Sequence, residues 1–303
     1  MGDGAAMNNR IPPEARAGVL FIVPALTLIT IFFILPVAAG FILSLTDFDI
    51  YSLGDSGHTR MVGAENYRVL LHNAVFWHAL RNTFYFSVVG GPLTILAALG
   101  TALLLNAKAA LLKPLFRTIY FAPVVTTIVA VAIVWRYMYH PRVGLLNQFL
   151  GLFGMHPVDW LGDPRWAMPA VILLAVWKNF GYATVLFIAG LQGVPEEMYE
   201  AARIDGAGAM RQFWLITLPS LGPTFVFVSI ITAIGYMQLF AEPYVMTPDG
   251  GPLNSTLSIV MLMYREGFRW WNMGYAAAIA AILFVIVVGG TMLQAVIRRR
   301  RAA

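Results

Sequence analysis

Residues 273–297 read MGYAAAIAAILFVIVVGGTMLQAVI, a run without a charged side chain that is followed directly by four arginines. An α-helix rises about 1.5 Å per residue, so roughly 20 apolar residues cross the ~30 Å hydrocarbon core of a bilayer. The run exceeds that length. It predicts a transmembrane helix, and the arginines after it are typical of an anchor at the inner lipid surface.

The composition of the whole chain agrees with this interpretation. Of its 303 residues, 59% are hydrophobic and 12% are charged, and the mean hydropathy is +0.73. A soluble domain must cover its surface with more charge than that. We therefore expect an all-α fold, a polytopic membrane helical bundle of about six transmembrane helices in a single domain over residues 1–303, without the alternation of barrel strands. The expected spans are residues 17–45, 82–105, 115–139, 166–191, 221–241 and 273–297.

Lysine and arginine residues in the short loops predict the orientation of the bundle, because cytoplasmic segments retain positive charge. With the N-terminus inside, the inner segments carry eleven of these residues and the outer loops carry seven. Both termini are therefore expected in the cytoplasm. The net charge of +5 fits this topology and an attraction to membrane lipid, and it needs no nucleic acid partner.

A polar segment, residues 194–219, interrupts the apolar pattern between the fourth and fifth expected spans. Pro195 and the two glutamates after it suit the first turn of a helix, where the backbone dipole favours negative charge. Gly206 is placed to end that helix, because glycine tolerates the positive φ of a helix C-cap. A second helix would follow, and Pro219 would end or kink it. The segment predicts a helix, a turn and a helix at the cytoplasmic surface.

The spacing within this segment resembles the EAA signature of binding-protein-dependent ABC importers. Two further runs, WHALRNT at residues 77–83 and TPDGGP at residues 247–252, are similar to the carbohydrate-uptake branch that includes the maltose and glycerol-phosphate permeases. The resemblance extends over residues 21–281, and Asp249 departs from it as one additional residue. The matching positions of the EAA signature are Glu200, Ala201, Ala202, Gly206, Ile216, Leu218 and Pro219.

The resemblance implies a permease subunit of an ATP-driven importer in a prokaryotic plasma (inner) membrane. Its partners would be a second homologous permease subunit, an ATPase subunit dimer and an extracytoplasmic solute-binding protein that delivers a sugar. The chain has no G-x-x-x-x-G-K-[ST] phosphate-binding loop, so ATP and Mg would be held by the ATPase and this chain would carry no cofactor. The polar segment would be the coupling helix, with Glu200, Ala201, Ala202, Asp205 and Gly206 as its ATPase-coupling residues.

A sugar path through the bundle needs polar groups for hydroxyls and an aromatic face for the C–H surface of the ring. By resemblance, four positions in or next to the fifth span (Thr232, Gly235, Tyr236 and Leu239) correspond to sugar-contacting positions of the maltose-type permease. The amides of Asn179 and Gln238 and the ring of Tyr182 complete the set. Lys178 either contacts solute or pairs with a carbonyl or carboxylate, because an isolated charge inside a span is costly. The predicted substrate path is Asn179, Tyr182, Thr232, Gly235, Tyr236, Gln238 and Leu239.

Two other classes of function fit the sequence less well. A secondary carrier for a small polar solute would be expected to build ion sites inside its spans, and the acidic residues here lie nearly all outside them. A membrane enzyme would need a buried acid–base or metal cluster, and the sequence indicates no catalytic or metal-ligating residues. The solute stays open among α-glucosides, other oligosaccharides and glycerol phosphates.

Overall fold

The computed structural model describes residues 13–53, 59–106 and 113–302, and the expected domain of residues 1–303 includes positions outside these ranges. The described chain is helical apart from its turns and loops, which confirms the all-α fold. Its α-helices are α1 (Pro13–Ile29), α2 (Leu35–Leu43), α3 (Glu65–His72), α4 (Ala74–Asn106), α5 (Lys113–Val125), α6 (Ile128–Met138), α7 (Leu145–Leu152), α8 (Pro164–Gln192), α9 (Glu196–Ile204), α10 (Ala209–Gln212), α11 (Leu218–Ser220), α12 (Gly222–Met237), α13 (Ala241–Met246), α14 (Ile259–Tyr264) and α15 (Met273–Ala302).

Three single π-helical turns connect or extend these helices. Thr30–Ile34 joins α1 to α2, Phe213–Thr217 joins α10 to α11, and Arg265–Arg269 follows α14. The first of them keeps the N-terminal span continuous, because the residues on both sides of it have helical backbone angles. The other two lie in the segments that flank the fifth span.

Four helical stretches are long and apolar enough to cross a membrane: Leu20–Leu43, Ala74–Asn106, Pro164–Gln192 and Met273–Gln294. They correspond to the first, second, fourth and sixth expected spans. The third expected span is a bent pair of shorter helices. The fifth, residues 221–241, contains the unbroken helix α12 and begins at a bend. The described chain therefore has four continuous spans, or up to six if each bent pair crosses the membrane once.

The third expected span breaks between α5 and α6, whose axes are bent by 108°. The break follows Pro123, which lacks the N–H that a continuing helix uses. Lys178 in α8 donates hydrogen bonds from Nζ to the carbonyls of Pro123 and Thr126, at 2.9 Å each. The Thr126 hydroxyl also donates to the Pro123 carbonyl, at 2.7 Å. Two carbonyls at the break are thus satisfied, and of the two roles expected for Lys178 the structure shows the pairing with carbonyls.

A bend of 64° lies between α11 and α12, at the start of the fifth expected span. The kink predicted at Pro219 lies two residues later, at Leu221, where α11 gives way to α12. Pro219 lies near the C-terminal end of the continuous helical segment Ala209–Ser220, and Pro223 lies in the first turn of α12. A proline is tolerated in a first turn because the N–H it lacks has no partner within the helix.

The centre of the bundle is built on α4 and α8, which form the most extensive helix pair. Ala98 and Ala102 of α4 are fully buried in a cluster that includes Phe187 of α8. Gly181 lies so close to the carbonyl oxygen of Tyr120 that a Cβ atom would overlap with it. Small residues permit such approaches, which matter in lipid because association there depends on packing contacts.

The first span lies at the edge of the bundle. The side chains in its most apolar part are not buried, whereas about half of the corresponding part of the fourth span is. Helix α2 packs against α15, with Phe41 and Phe284 meeting edge to face at 5.6 Å between ring centroids. The uncovered apolar surface of α1 fits contact with lipid tails.

Candidate functional site

A cavity of about 540 Å³ lies among α4, α8 and the C-terminal part of α12. Val124, next to the break in the third span, closes one side. The structure thus joins residues from distant parts of the chain around one space, while their role in transport stays a prediction. All seven residues of the predicted substrate path line it: Asn179, Tyr182, Thr232, Gly235, Tyr236, Gln238 and Leu239.

Tyr236 forms a packed wall of the cavity. Its ring stacks on Phe86 at 4.8 Å between centroids, and its hydroxyl is hydrogen-bonded to the hydroxyl of Thr94. A Cβ atom on Gly90 would lie 2.6 Å from the Tyr236 ring, so this glycine makes room for it. With 4% of its surface exposed, Tyr236 offers an edge to the cavity while one ring face is covered.

The accessible groups of the cavity are Asn179, Tyr182 and Gln238. Tyr182 is 49% exposed, so its ring is far more available than that of Tyr236. Asn179 donates to the carbonyl of Ala175 at 2.9 Å, and its side-chain oxygen remains an acceptor. Gln238 is two residues from Tyr236, and helical geometry would turn it away, but α12 ends at Met237 and the backbone changes direction there.

The other predicted path residues occupy one stripe of the fifth span. Thr232 is half-buried, Gly235 leaves open space where a Cβ would be, and Leu239 is buried. The carbonyl of Leu239 accepts a hydrogen bond from the Ser258 hydroxyl. The sequence identified these positions through the resemblance to the maltose-type permease, and those within α12 have the i, i+3, i+4 spacing of one helix face.

Several cavity residues are absent from the prediction. Phe86 and Thr94 come from α4, and with Gly90 between them they are spaced by four residues and share one helix face. Glu242 comes from α13 and is one of the few acids near a span. The four-residue spacing was readable from the sequence, but nothing in it showed which face of α4 turns inward.

The second feature is the polar segment, in which α9 is followed by a sharp turn. Pro195 occupies the N-cap, one residue before the first turn that was predicted for it. Gly206 has φ +75°, and the N–H groups of Gly206 and Ala207 donate to the carbonyls of Arg203 and Ala202. These two bonds, at 3.1 and 2.8 Å, form a Schellman motif. The sequence placed this turn correctly because it depends on one glycine.

Helix α9 has no buried residue among its nine positions. The side chains of Met198 and Ile204 are 45% and 87% exposed. A hydrogen bond of 3.0 Å joins the hydroxyl of Tyr199 in this helix to that of Thr217, which lies in the π turn before α11. An exposed amphipathic helix of this kind fits a groove on a partner protein.

The five predicted coupling residues lie along α9 and its C-terminal turn. Glu200 and Ala201 are exposed and Ala202 is half-buried. Glu200 forms an exposed ion pair with Arg203 at 3.7 Å, which leaves its carboxylate available to a partner's cation. Asp205 caps the helix, and Gly206 follows in the turn.

A helical membrane bundle with a cavity between its helices and an exposed amphipathic helix is the arrangement of a membrane transport component. Residues 90–302 match the family described as "Binding-protein-dependent transport system inner membrane component". The chain belongs to this family, as the EAA resemblance implied, and it is a multi-pass inner membrane protein.

Relatives match along nearly the whole chain. The lactose transport system permease protein LacF of Rhizobium radiobacter is 36% identical over 288 residues, 94% of each chain. The trehalose/maltose transport system permease protein MalF of Thermococcus litoralis is 35% identical over 291 residues, 95% of each chain. A chain of the same fold occurs in a bacterial alginate ABC transporter that was solved in complex with an alginate-pentasaccharide-bound periplasmic protein. The two chains superpose with a TM-score of 0.78 and are 22% identical, and the match covers 94% of this chain and 96% of that one.

Proposed function

We propose that this chain is the permease subunit of an ABC importer that moves a sugar across the membrane after an extracytoplasmic binding protein delivers it. The observation that carries the proposal is the convergence of seven predicted path residues on one cavity. The lactose and trehalose/maltose permeases among the relatives support a carbohydrate as the substrate class. The alginate transporter solved with its periplasmic protein supports a binding-protein partner.

The lining of the cavity suits a sugar. Ligand sites are mostly apolar with a few placed polar groups, and this one joins aromatic rings to the amides of Asn179 and Gln238 and the hydroxyl of Thr232. Glu242 adds a carboxyl group that can accept hydrogen bonds from sugar hydroxyls. The ring of Tyr182 is the exposed aromatic surface on which a sugar would stack.

Energy would enter through α9. An ATPase subunit dimer, which binds ATP and Mg, would receive α9 in a surface groove, and a second homologous permease would complete the membrane part. Motion of α9 would pass through the Tyr199–Thr217 hydrogen bond and α11 into α12, whose far end lines the cavity. Two arrangements of such packed segments give alternating access, and this chain would perform no covalent chemistry.

Both termini and α9 would lie in the cytoplasm, with the segment between α6 and α8 outside. A single cysteine in place of the exposed His156 should react with a membrane-impermeant reagent on intact cells, whereas one in place of the exposed Ala209 should react only after the membrane is opened. The reverse labelling pattern would overturn this orientation.

The cavity is tested by Tyr182→Ala in vesicles that contain the complete transporter and its binding protein. Loss of the exposed ring should lower uptake of the transported sugar by about 2- to 10-fold, because an aromatic contact contributes about 0.5–1.5 kcal/mol beyond its buried area. Tyr85→Ala is the matched control, since Tyr85 is 45% exposed and lies in α4 outside the lining.

A second variant, Gln238→Leu, would leave sugar hydroxyls unpaired at a cost of about 1–3 kcal/mol. Unchanged uptake rates and sugar preference in both cavity variants would move the path elsewhere. Sugar accumulation that continues without ATP hydrolysis would instead favour a secondary carrier.

A further inference from the structure

A second pocket, of about 420 Å³, lies beyond the central cavity, where the loop after α13 meets α14 and the π turn that follows it. Two tyrosine rings, Tyr244 and Tyr264, form part of its wall. Three charged side chains, Asp249, Arg265 and Arg269, complete its polar side. The predicted substrate path contains none of these residues.

A series of aromatic rings connects this outer pocket to the central cavity. Phe240 lines the central cavity and stacks on Tyr244 at 5.0 Å between ring centroids. Tyr244 meets Tyr264 edge to face at 5.4 Å, and Tyr264 stacks on the exposed Phe268, also at 5.4 Å. The rings thus extend from the protein surface to the wall of the cavity.

Two of the three charged side chains of the outer pocket form an ion pair, and the third lies over an aromatic ring. Asp249 forms an ion pair with Arg269 across 20 residues of sequence. Asp249, which the resemblance implies is an additional residue in the TPDGGP run, has φ +61°, a conformation that aspartate tolerates better than most residues. The guanidinium of Arg265 lies over the Trp270 ring at 4.9 Å, and its buried Nε has no hydrogen-bond partner in the described part of the chain.

We propose that this outer pocket is a second carbohydrate subsite, which holds one glycosyl unit of a neutral oligosaccharide on its way to the central cavity. The inference rests on the proposed import of sugars. Aromatic faces take up the C–H surface of a sugar ring, and the guanidinium groups donate to its hydroxyls. The continuous series of rings gives a longer sugar contacts in both spaces at once.

Asp249 determines the charge preference of the subsite. Its carboxylate neutralises Arg269, so the pocket does not present two free cations to a ligand. Without that carboxylate the two guanidiniums would attract the carboxylate of an acidic sugar, since guanidinium groups bind carboxylates in paired hydrogen bonds. The additional residue in the loop therefore selects neutral sugars.

The first experiment measures uptake by the complete transporter in vesicles, with disaccharides and trisaccharides of glucose, galactose and arabinose and the corresponding monosaccharides. Tyr264→Leu should raise the half-saturating concentration of the transported trisaccharide by about tenfold and that of a monosaccharide by less than about twofold. Tyr51→Leu, which alters an exposed tyrosine outside both pockets, is the control and should change neither.

The outcomes separate this inference from the proposed function. If the unaltered transporter accumulates none of these sugars, the proposed function fails. If it accumulates them and Tyr182→Ala impairs uptake while Tyr264→Leu does not, the proposed function stands and the outer subsite is refuted. If Tyr264→Leu weakens docking of the sugar-free binding protein by the same factor as uptake, the pocket is a protein contact and the subsite is likewise refuted.

The second experiment uses Asp249→Asn, which keeps a side chain that accepts positive φ and removes the negative charge. In competition assays with the transported neutral sugar, digalacturonate should inhibit this variant at least about fivefold more strongly than it inhibits the unaltered transporter. An unchanged ratio of acidic to neutral sugar inhibition would refute the role of Asp249.

Discussion

Replacement of Lys178 tests the broken third span directly. Its ammonium group donates two hydrogen bonds of 2.9 Å to the carbonyls of Pro123 and Thr126. The variant Lys178→Met keeps a long, flexible side chain and loses both bonds. Hydrogen bonds from a charged donor contribute about 1.5–3 kcal/mol each, so the pair contributes about 3–6 kcal/mol.

Loss of the charge also has a favourable side. An ammonium group at the centre of a span costs about 2.5–3.5 kcal/mol, and methionine does not carry that cost. The free energy of unfolding should therefore fall by only about 0–3 kcal/mol. The bend that Lys178 secures adjoins Val124, which lines the cavity, so a relaxed bend should lower sugar uptake more strongly, by about tenfold.

The assay combines thermal unfolding in lipid nanodiscs with ATP-driven uptake by the complete transporter. Lys178→Arg retains donors for both carbonyls and should stay close to the unaltered protein in both measurements. Arg142→Met, which removes an exposed cation from the loop before α7, should have no effect. The reasoning is refuted if Lys178→Met transports normally, or if Lys178→Arg loses as much uptake as Lys178→Met.

Two further predictions concern the turn after α9 and the π turn after α14. Gly206→Val should uncouple ATP hydrolysis from uptake, because a β-branched residue at φ +75° costs about 1–2 kcal/mol although no atom blocks its Cβ. Gly208→Val is the control, because Gly208 has φ −69° and its Cβ position is equally open. Equal activity of the two variants would contradict the argument. Burial raises the pKa of Glu266 above its ordinary value, although the hydrogen bond from Asn272 and the charge of Arg265 oppose the shift. The native state therefore binds more protons than the unfolded state, and the stability of the protein falls as pH rises above about 4.5. Glu266→Gln should therefore raise the unfolding temperature by about 2 °C at pH 7.5, and a gain that failed to shrink towards pH 4.5 would exclude this cause.

Much of the fold was predictable because it depends on local properties of the chain. Span length and hydropathy identified the four continuous membrane helices, of which Met273–Gln294 is the clearest. The turn after α9 followed from Gly206, whose positive φ needs no distant contact. The break in the third span was missed because its hydropathy is continuous, and the chain changes direction there without a change in composition.

The candidate cavity was predictable in part. The positions from Thr232 to Leu239 were visible because they resemble the sugar-contacting positions of the maltose-type permease. The burial of Tyr236 was not visible, since it depends on Phe86, Gly90 and Thr94, which lie more than 140 residues earlier in the chain. The outer pocket was missed for the same reason, because α13 and α14 meet only in the folded bundle.

The sequence by itself determined that the protein lies in lipid, where most of its helices are and where the polar segment of residues 194–219 turns, since hydropathy, proline and glycine act over a few residues. The tertiary structure decided which faces turn inward, where the third span breaks and which polar groups share a space. Lys178 illustrates the difference. The free-energy cost of placing its charge inside a span is evident from the sequence. Its hydrogen bonds to the carbonyls of Pro123 and Thr126 form only because the neighbouring third span bends by 108° between α5 and α6. In lipid the backbone must be satisfied from within the protein, so that partner could be identified only once the helices were packed.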